Sequence, residues 1–99
     1  MSLSIQTKNE NGVTVELIGR LDTVTAPSLE VKLDEILPTT ETLVIDMEKL
    51  EYVSSAGLRL LLKAQKEMSK KGGMKLIHVN DEVMEVFEIT GFSDILTVE

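Results

Sequence analysis

The sequence has no cysteine and no tryptophan, only two prolines, one tyrosine and two phenylalanines, and a single histidine. Without cysteine there is no disulfide, no thiolate metal site and no cysteine nucleophile, and the chain is compatible with a reducing compartment. The one histidine, His78, falls in a segment that reads as a strand over 74–79. It has no Glu-x-x-His or His-x-x-x-His partner, so zinc and di-iron motifs have no support, and it reads as a structural residue. A glycine-rich phosphate loop and a G-x-S-x-G nucleophile elbow are both missing. Nothing in this inventory asks for an enzyme or a cofactor.

Apolar runs of about 20 residues, the length of a membrane span, are also missing. The first residues, MSLSIQTKNE, lack the basic start and apolar stretch of an export signal, so the expected location is the cytoplasm. Positive charge is in short supply: 17 acidic against 10 basic residues leave a net charge of −7. Such a field repels nucleic-acid backbones and anionic lipid surfaces. With few rings for stacking, direct nucleic-acid binding is not expected. A partner with a basic surface fits better.

What is present is the pattern of one small α/β domain spanning 1–99, large enough for its own core. Leu3–Thr7 and Val13–Leu17 alternate apolar and polar residues around Asn11-Gly12, which predicts an antiparallel hairpin with one buried face. Gly19–Thr23 reads as a loop. A helix is expected from Thr25 (as N-cap) and Ala26, with Pro27 in the first turn, a buried stripe of Leu29, Leu33, Ile36 and Leu37, and Pro38 at its end. Thr42–Asp46 is a β-branched run expected to pair in parallel with an earlier strand.

The longest helix is expected from Ser55 to about Lys71, with Leu58, Leu61, Leu62, Gln65 and Met68 inward. Its outer stripe, Arg59, Lys63, Lys66 and Lys70, reads as a solvated face, and Lys66, Lys70 and Lys71 suit its negative end. A strand over Met74–Val79 leads to a last helix capped by Asn80 and closed by Gly91 and Phe92. Ile95–Val98 reads as a short edge strand. The expected fold is a small mixed sheet of four to five strands with helices on one face.

The stretch Asp46–Leu62, DMEKLEYVSSAGLRLLL, holds the feature hardest to assign to folding alone. Ser54 and Ser55 sit at the start of the long helix, where a small hydroxyl residue caps. A phosphate placed there would meet unpaired N–H groups and the positive end of the helix dipole. Ala56 and Gly57 beside them leave room for a partner to approach. Asp22 either caps and turns its own loop or belongs with the two serines. The second option requires both loops to lie at one end of the sheet.

LVIDMEKLEYVSSAGLRLLL (43–62), together with GRLDTVTAPSLE (19–30), resembles the STAS domain of bacterial anti-sigma factor antagonists, and the resemblance spans essentially the whole chain. It implies a domain that binds an anti-sigma factor, itself an ATP-dependent serine kinase, and so frees a sigma factor for transcription. It further implies that serine phosphorylation ends the capture, with a phosphatase to reverse it. The family's motif commonly reads Asp-Ser-Ser/Thr-Gly-Leu, with its first serine as acceptor. Aligned on Gly57-Leu58, the acceptor is Ser55, Ser54 stands for the aspartate, and Ala56 for the second small hydroxyl residue. Arg59 replaces a residue that is often small. The partner-binding set carried over is Asp22, Ser54, Ser55, Ala56, Gly57 and Arg59. Two other readings stay open: a stand-alone STAS subunit of a larger signalling or lipid-transport ATPase assembly without phospho-switching, and a small enzyme or ligand carrier, which would need a pocket with convergent polar groups.

Overall fold

Two stretches of alternating residues open the chain and pair as expected. In the computed structural model, which describes residues 3–9 and 12–99, β1 (Leu3–Asn9) runs antiparallel to β2 (Val13–Leu21), with Ile5 opposite Leu17 and Asn9 opposite Val13. Asn11 of the expected turn lies outside the described residues. Gly12 has φ +105°, a value that favours glycine. β3 (Leu43–Val53) lies parallel to β2, and β4 (Met74–Ile77) parallel to β3, giving the order β1-β2-β3-β4. The parallel links are made through helices, α1 (Ala26–Ile36) between β2 and β3 and α2 (Ser55–Met68) between β3 and β4. α3 (Asp81–Thr90) and a 3₁₀ turn (Phe92–Asp94) follow.

The core lies between one sheet face and the helices. Val15, Leu17, Leu21, Ile45, Met47, Leu50 and Leu76 from the sheet meet Leu29 and Leu33 of α1, Leu58, Leu61, Ala64 and Met68 of α2, and Val83 and Phe87 of α3. Burying each larger side chain contributes about 1.5–3 kcal/mol. On the other face, Ser4, Gln6 and Lys8 are exposed, and Glu16, Ile18, Asp46 and Ile77 are half-buried. The α/β fold with helices over one side of a small mixed sheet is as expected.

Two strands are longer than their patterns suggest. β2 continues through Gly19 to Leu21, and β3 continues through DMEKLEY to Val53, where loops were expected. The cause is two irregularities in β3. Between the pairs Glu16–Asp46 and Ile18–Lys49, and again between Gly19–Leu50 and Arg20–Tyr52, β3 carries one extra residue. Each bulge shifts the inward face by one position. The buried residues of β3 therefore go from a spacing of two (Leu43, Ile45, Met47) to a spacing of three (Leu50, Val53).

Several ends also differ from expectation. α2 stops at Met68, and the ammonium of Lys71 turns away from it to donate to the carbonyls of Leu37 (2.6 Å) and Thr40 (3.2 Å), closing the end of α1. β4 stops at Ile77, so His78 is not a strand residue but follows it with φ +58°. The expected fifth strand reduces to a parallel bridge between Leu76 and Val98. At α3 the expectation holds: Asn80 Oδ1 accepts the Val83 N–H at 2.8 Å, and its Nδ2 donates to Leu50 O at 2.9 Å. Gly91 ends the helix with φ +81°.

Candidate interaction site at the start of α2

Parallel pairing of β2 and β3 brings their C-terminal ends to one edge of the sheet. Leu21 pairs with Val53, and the Ser54 N–H donates to Leu21 O at 2.8 Å. The loop that begins at Asp22 and the start of α2 are therefore adjacent, which the sequence left open.

The two serines have different roles. Ser54, with extended backbone, is the N-cap of α2, and its Oγ accepts the Gly57 N–H at a long 3.4 Å. Ser55 is the first helical residue and is exposed. No hydrogen bond among the described residues uses its hydroxyl. Folding thus employs Ser54 and leaves the Ser55 oxygen free. Arg59, also exposed, stands four residues on and shares the face of Ser55.

Ala56 is half-buried against the core, and Gly57 is buried. A Cβ on Gly57 would stand 2.6 Å from Leu21 Cγ and 3.3 Å from Leu21 O. The missing side chain is thus explained on the inner side: it lets α2 approach the end of β2.

Asp22 organises its own loop. Its Oδ1 accepts the N–H groups of Val24 and Thr25, each at 3.0 Å, while its N–H donates to Thr25 Oγ1 at 2.9 Å. Thr25 occupies the N-cap position of α1, but its side chain makes no cap. Its hydroxyl donates instead to Arg20 O at 2.8 Å. The Thr25 N–H, followed by the Val24 N–H, the Thr25 hydroxyl and the Arg20 charge, holds the Asp22 carboxyl below its ordinary pKa, against partial desolvation.

Arg20, Val24 and Tyr52 were not singled out from sequence. The Arg20 guanidinium lies 4.4 Å from the Tyr52 ring centroid and 3.8 Å (Nε to Oδ2) from Asp22. Val24, 82% exposed, puts an apolar side chain at the tip of the Asp22 loop. The legible signal was a valine within a four-residue polar turn, Asp22-Thr-Val-Thr25.

A second group of polar side chains lies on the uncovered face of the sheet. His78 Nδ1 is 3.0 Å from Asp46 Oδ1 and 3.9 Å from Glu48 Oε1. The hydrogen bond to Asp46 raises the imidazole pKa above its ordinary value against slight desolvation, and the Asp46 and Glu48 charges add to it. Burial pushes the Asp46 carboxyl up, but the Glu48 N–H, His78 and Lys49 together hold it below the ordinary carboxylate value.

A small mixed sheet with helices on one face, and an exposed serine at the first turn of its longest helix, defines the class of domain. Residues 3–99 match the STAS domain, and the chain belongs to that family. The anti-sigma-B factor antagonist of Bacillus subtilis (strain 168) is 31% identical over 100 residues, covering 99% of this chain and 92% of the relative. The anti-sigma-B factor antagonist of Staphylococcus aureus (strain NCTC 8325 / PS 47) is 32% identical over 103 residues, covering 99% and 94%. An anti-sigma factor antagonist from Mycobacterium paratuberculosis superposes with a TM-score of 0.88 at 23% identity, over 97% of this chain and 84% of that one. The anti-sigma factor antagonist SpoIIAA in its unphosphorylated form gives 0.80 at 21% identity, over 97% and 88%. At these identities the solved structures establish the fold.

No helix among the described residues is long and apolar enough to cross a membrane.

Proposed function

We propose that this protein is an anti-sigma factor antagonist: it captures an anti-sigma factor, releases a sigma factor for transcription, and is switched off by phosphorylation of Ser55. The antagonist role rests on the names of its relatives across nearly the whole chain. The switch rests on one observation above all, that Ser54 does the capping and the exposed Ser55 hydroxyl makes no hydrogen bond among the described residues. The same fold is known from SpoIIAA in a phosphorylated form, at a TM-score of 0.72 and 19% identity over 98% of this chain and 90% of that one.

The partner is an anti-sigma factor with serine kinase activity. The Ser55 Oγ attacks the γ-phosphorus of ATP, the bond to the β-phosphate oxygen breaks, ADP leaves, and the hydroxyl proton passes to a base of the kinase. The product gains about −1.5 to −2 charges. It stands at the positive end of the α2 dipole, with the Arg59 side chain one turn on, so the fold tolerates it. The partner does not: a phosphate desolvated at an interface that had packed on a bare hydroxyl costs about 3–4 kcal/mol, a hundredfold or more in affinity. Asp22, Ser54, Ala56 and Arg59 lie around the acceptor and belong to the same contact surface, and Gly57, buried beneath it, supports that surface by drawing the helix against Leu21. The role is a cytoplasmic one, and the reading includes a phosphatase that resets the switch.

The test is to incubate the protein with ATP and its co-encoded kinase-like anti-sigma factor and to map the phosphate by mass spectrometry. One phosphate on Ser55, absent from Ser55→Ala, is the expected result. Phosphate on Ser54 overturns the choice of acceptor, and none at all while the two proteins bind overturns the switch and returns the chain to the role of an unmodified subunit.

A further inference from the structure

We propose that Asp46, Glu48 and His78 form a divalent transition-metal site, of the zinc class, on the uncovered face of the sheet. Their ligand atoms, one from each side chain, all lie within 4.8 Å of one another. Zinc bound at about 2.0–2.1 Å in a tetrahedron needs neighbouring ligands about 3.4 Å apart. The His78 Nδ1 separations of 3.0 Å and 3.9 Å from the two carboxylate oxygens bracket that value. The third separation, between the two carboxylate oxygens, is at most 4.8 Å, and rotation of the exposed Glu48 side chain would bring it in.

The backbone supplies the convergence. Asp46 pairs with Ile77 across β3 and β4, so the residue after Ile77 passes beside Asp46. The left-handed turn at His78 (φ +58°) ends the strand there. Asp46, the least exposed of the three at 19%, is held in place by accepting the Glu48 N–H at 3.0 Å. Its carboxylate has lone pairs left for a metal. Glu48 and His78, with side chains 66% and 56% exposed, are free to adjust, and the open side leaves positions for water.

The donor set decides the class of ion. One imidazole with two carboxylates suits zinc and its neighbours, whereas magnesium and calcium prefer all-oxygen shells. The site is separate from the serine switch: Asp46 precedes Val53 by seven strand residues, roughly 20 Å. Its test is therefore independent of whether Ser55 is phosphorylated.

The experiment is isothermal titration of chelator-treated full-length protein with zinc chloride, beside Asp46→Asn and His78→Asn. Asparagine tolerates the left-handed backbone at position 78, so that variant keeps the fold, which circular dichroism checks. We expect one zinc per chain and a loss of affinity of about 100-fold or more in each variant, since losing even an outer partner of a metal ligand costs about 10–100-fold. Excess magnesium should leave the zinc isotherm unchanged. Absence of binding up to about millimolar zinc, equal binding by the wild type and both variants, or displacement by magnesium would each overturn the proposal.

Discussion

Ser54 and Ser55 look alike in sequence and differ in what the fold asks of them. Ser54 Oγ caps α2 through a long 3.4 Å contact, so its loss should sit toward the lower part of the usual capping range. Ser54→Ala is expected to destabilise the protein by about 0.5–1 kcal/mol. Ser55→Ala removes a solvent-facing hydroxyl without a hydrogen bond among the described residues and should stay within about 0.5 kcal/mol of wild type. Urea unfolding of the two variants side by side measures the difference, and a Ser55 variant as unstable as the Ser54 variant would mean that the Ser55 oxygen has a structural duty after all. The same scale shows what composition concealed in His78. A lone histidine reads as structural because its partners, Asp46 and Glu48, are some 30 positions away and only strand pairing joins them.

At the scale of elements, helix α2 is placed by its contact with the end of β2. Gly57 and Leu21 meet closely enough that any side chain at 57 collides with a fully buried leucine. In an isolated helix Gly→Ala would stabilise by about 1 kcal/mol. Here overpacking of about 1–3 kcal/mol opposes and exceeds that gain. Gly57→Ala is therefore expected to lower the urea midpoint; a raised midpoint would show that Leu21 can yield. The helices were legible because each carries a long apolar stripe, and the hairpin because its strands alternate cleanly. The far halves of β2 and β3 were not, because two bulges break the period of two and leave Met47, Leu50 and Val53 at a spacing that resembles no strand. The motif residues Asp22, Ser54 and Ser55 could be picked out one by one. That they share an edge of the sheet depended on the parallel pairing of Leu21 with Val53, a long-range fact that no local pattern states.

For the molecule as a whole, the packed core and the proposed switch are separated. The core lies between the sheet and the inner faces of the helices, while Ser55, Arg59 and Val24 project from one edge. A phosphate on that edge of a chain already at −7 is expected to change what the surface can dock against and to leave the packing in place. The most direct measurement is the affinity of the anti-sigma factor for the unmodified and the Ser55-phosphorylated protein, by isothermal titration at fixed ionic strength. About a hundredfold or greater loss of affinity on phosphorylation is expected, with the urea midpoint of the modified protein close to that of the unmodified one. Equal affinity for the two forms, at full occupancy of the phosphate on Ser55, would contradict it.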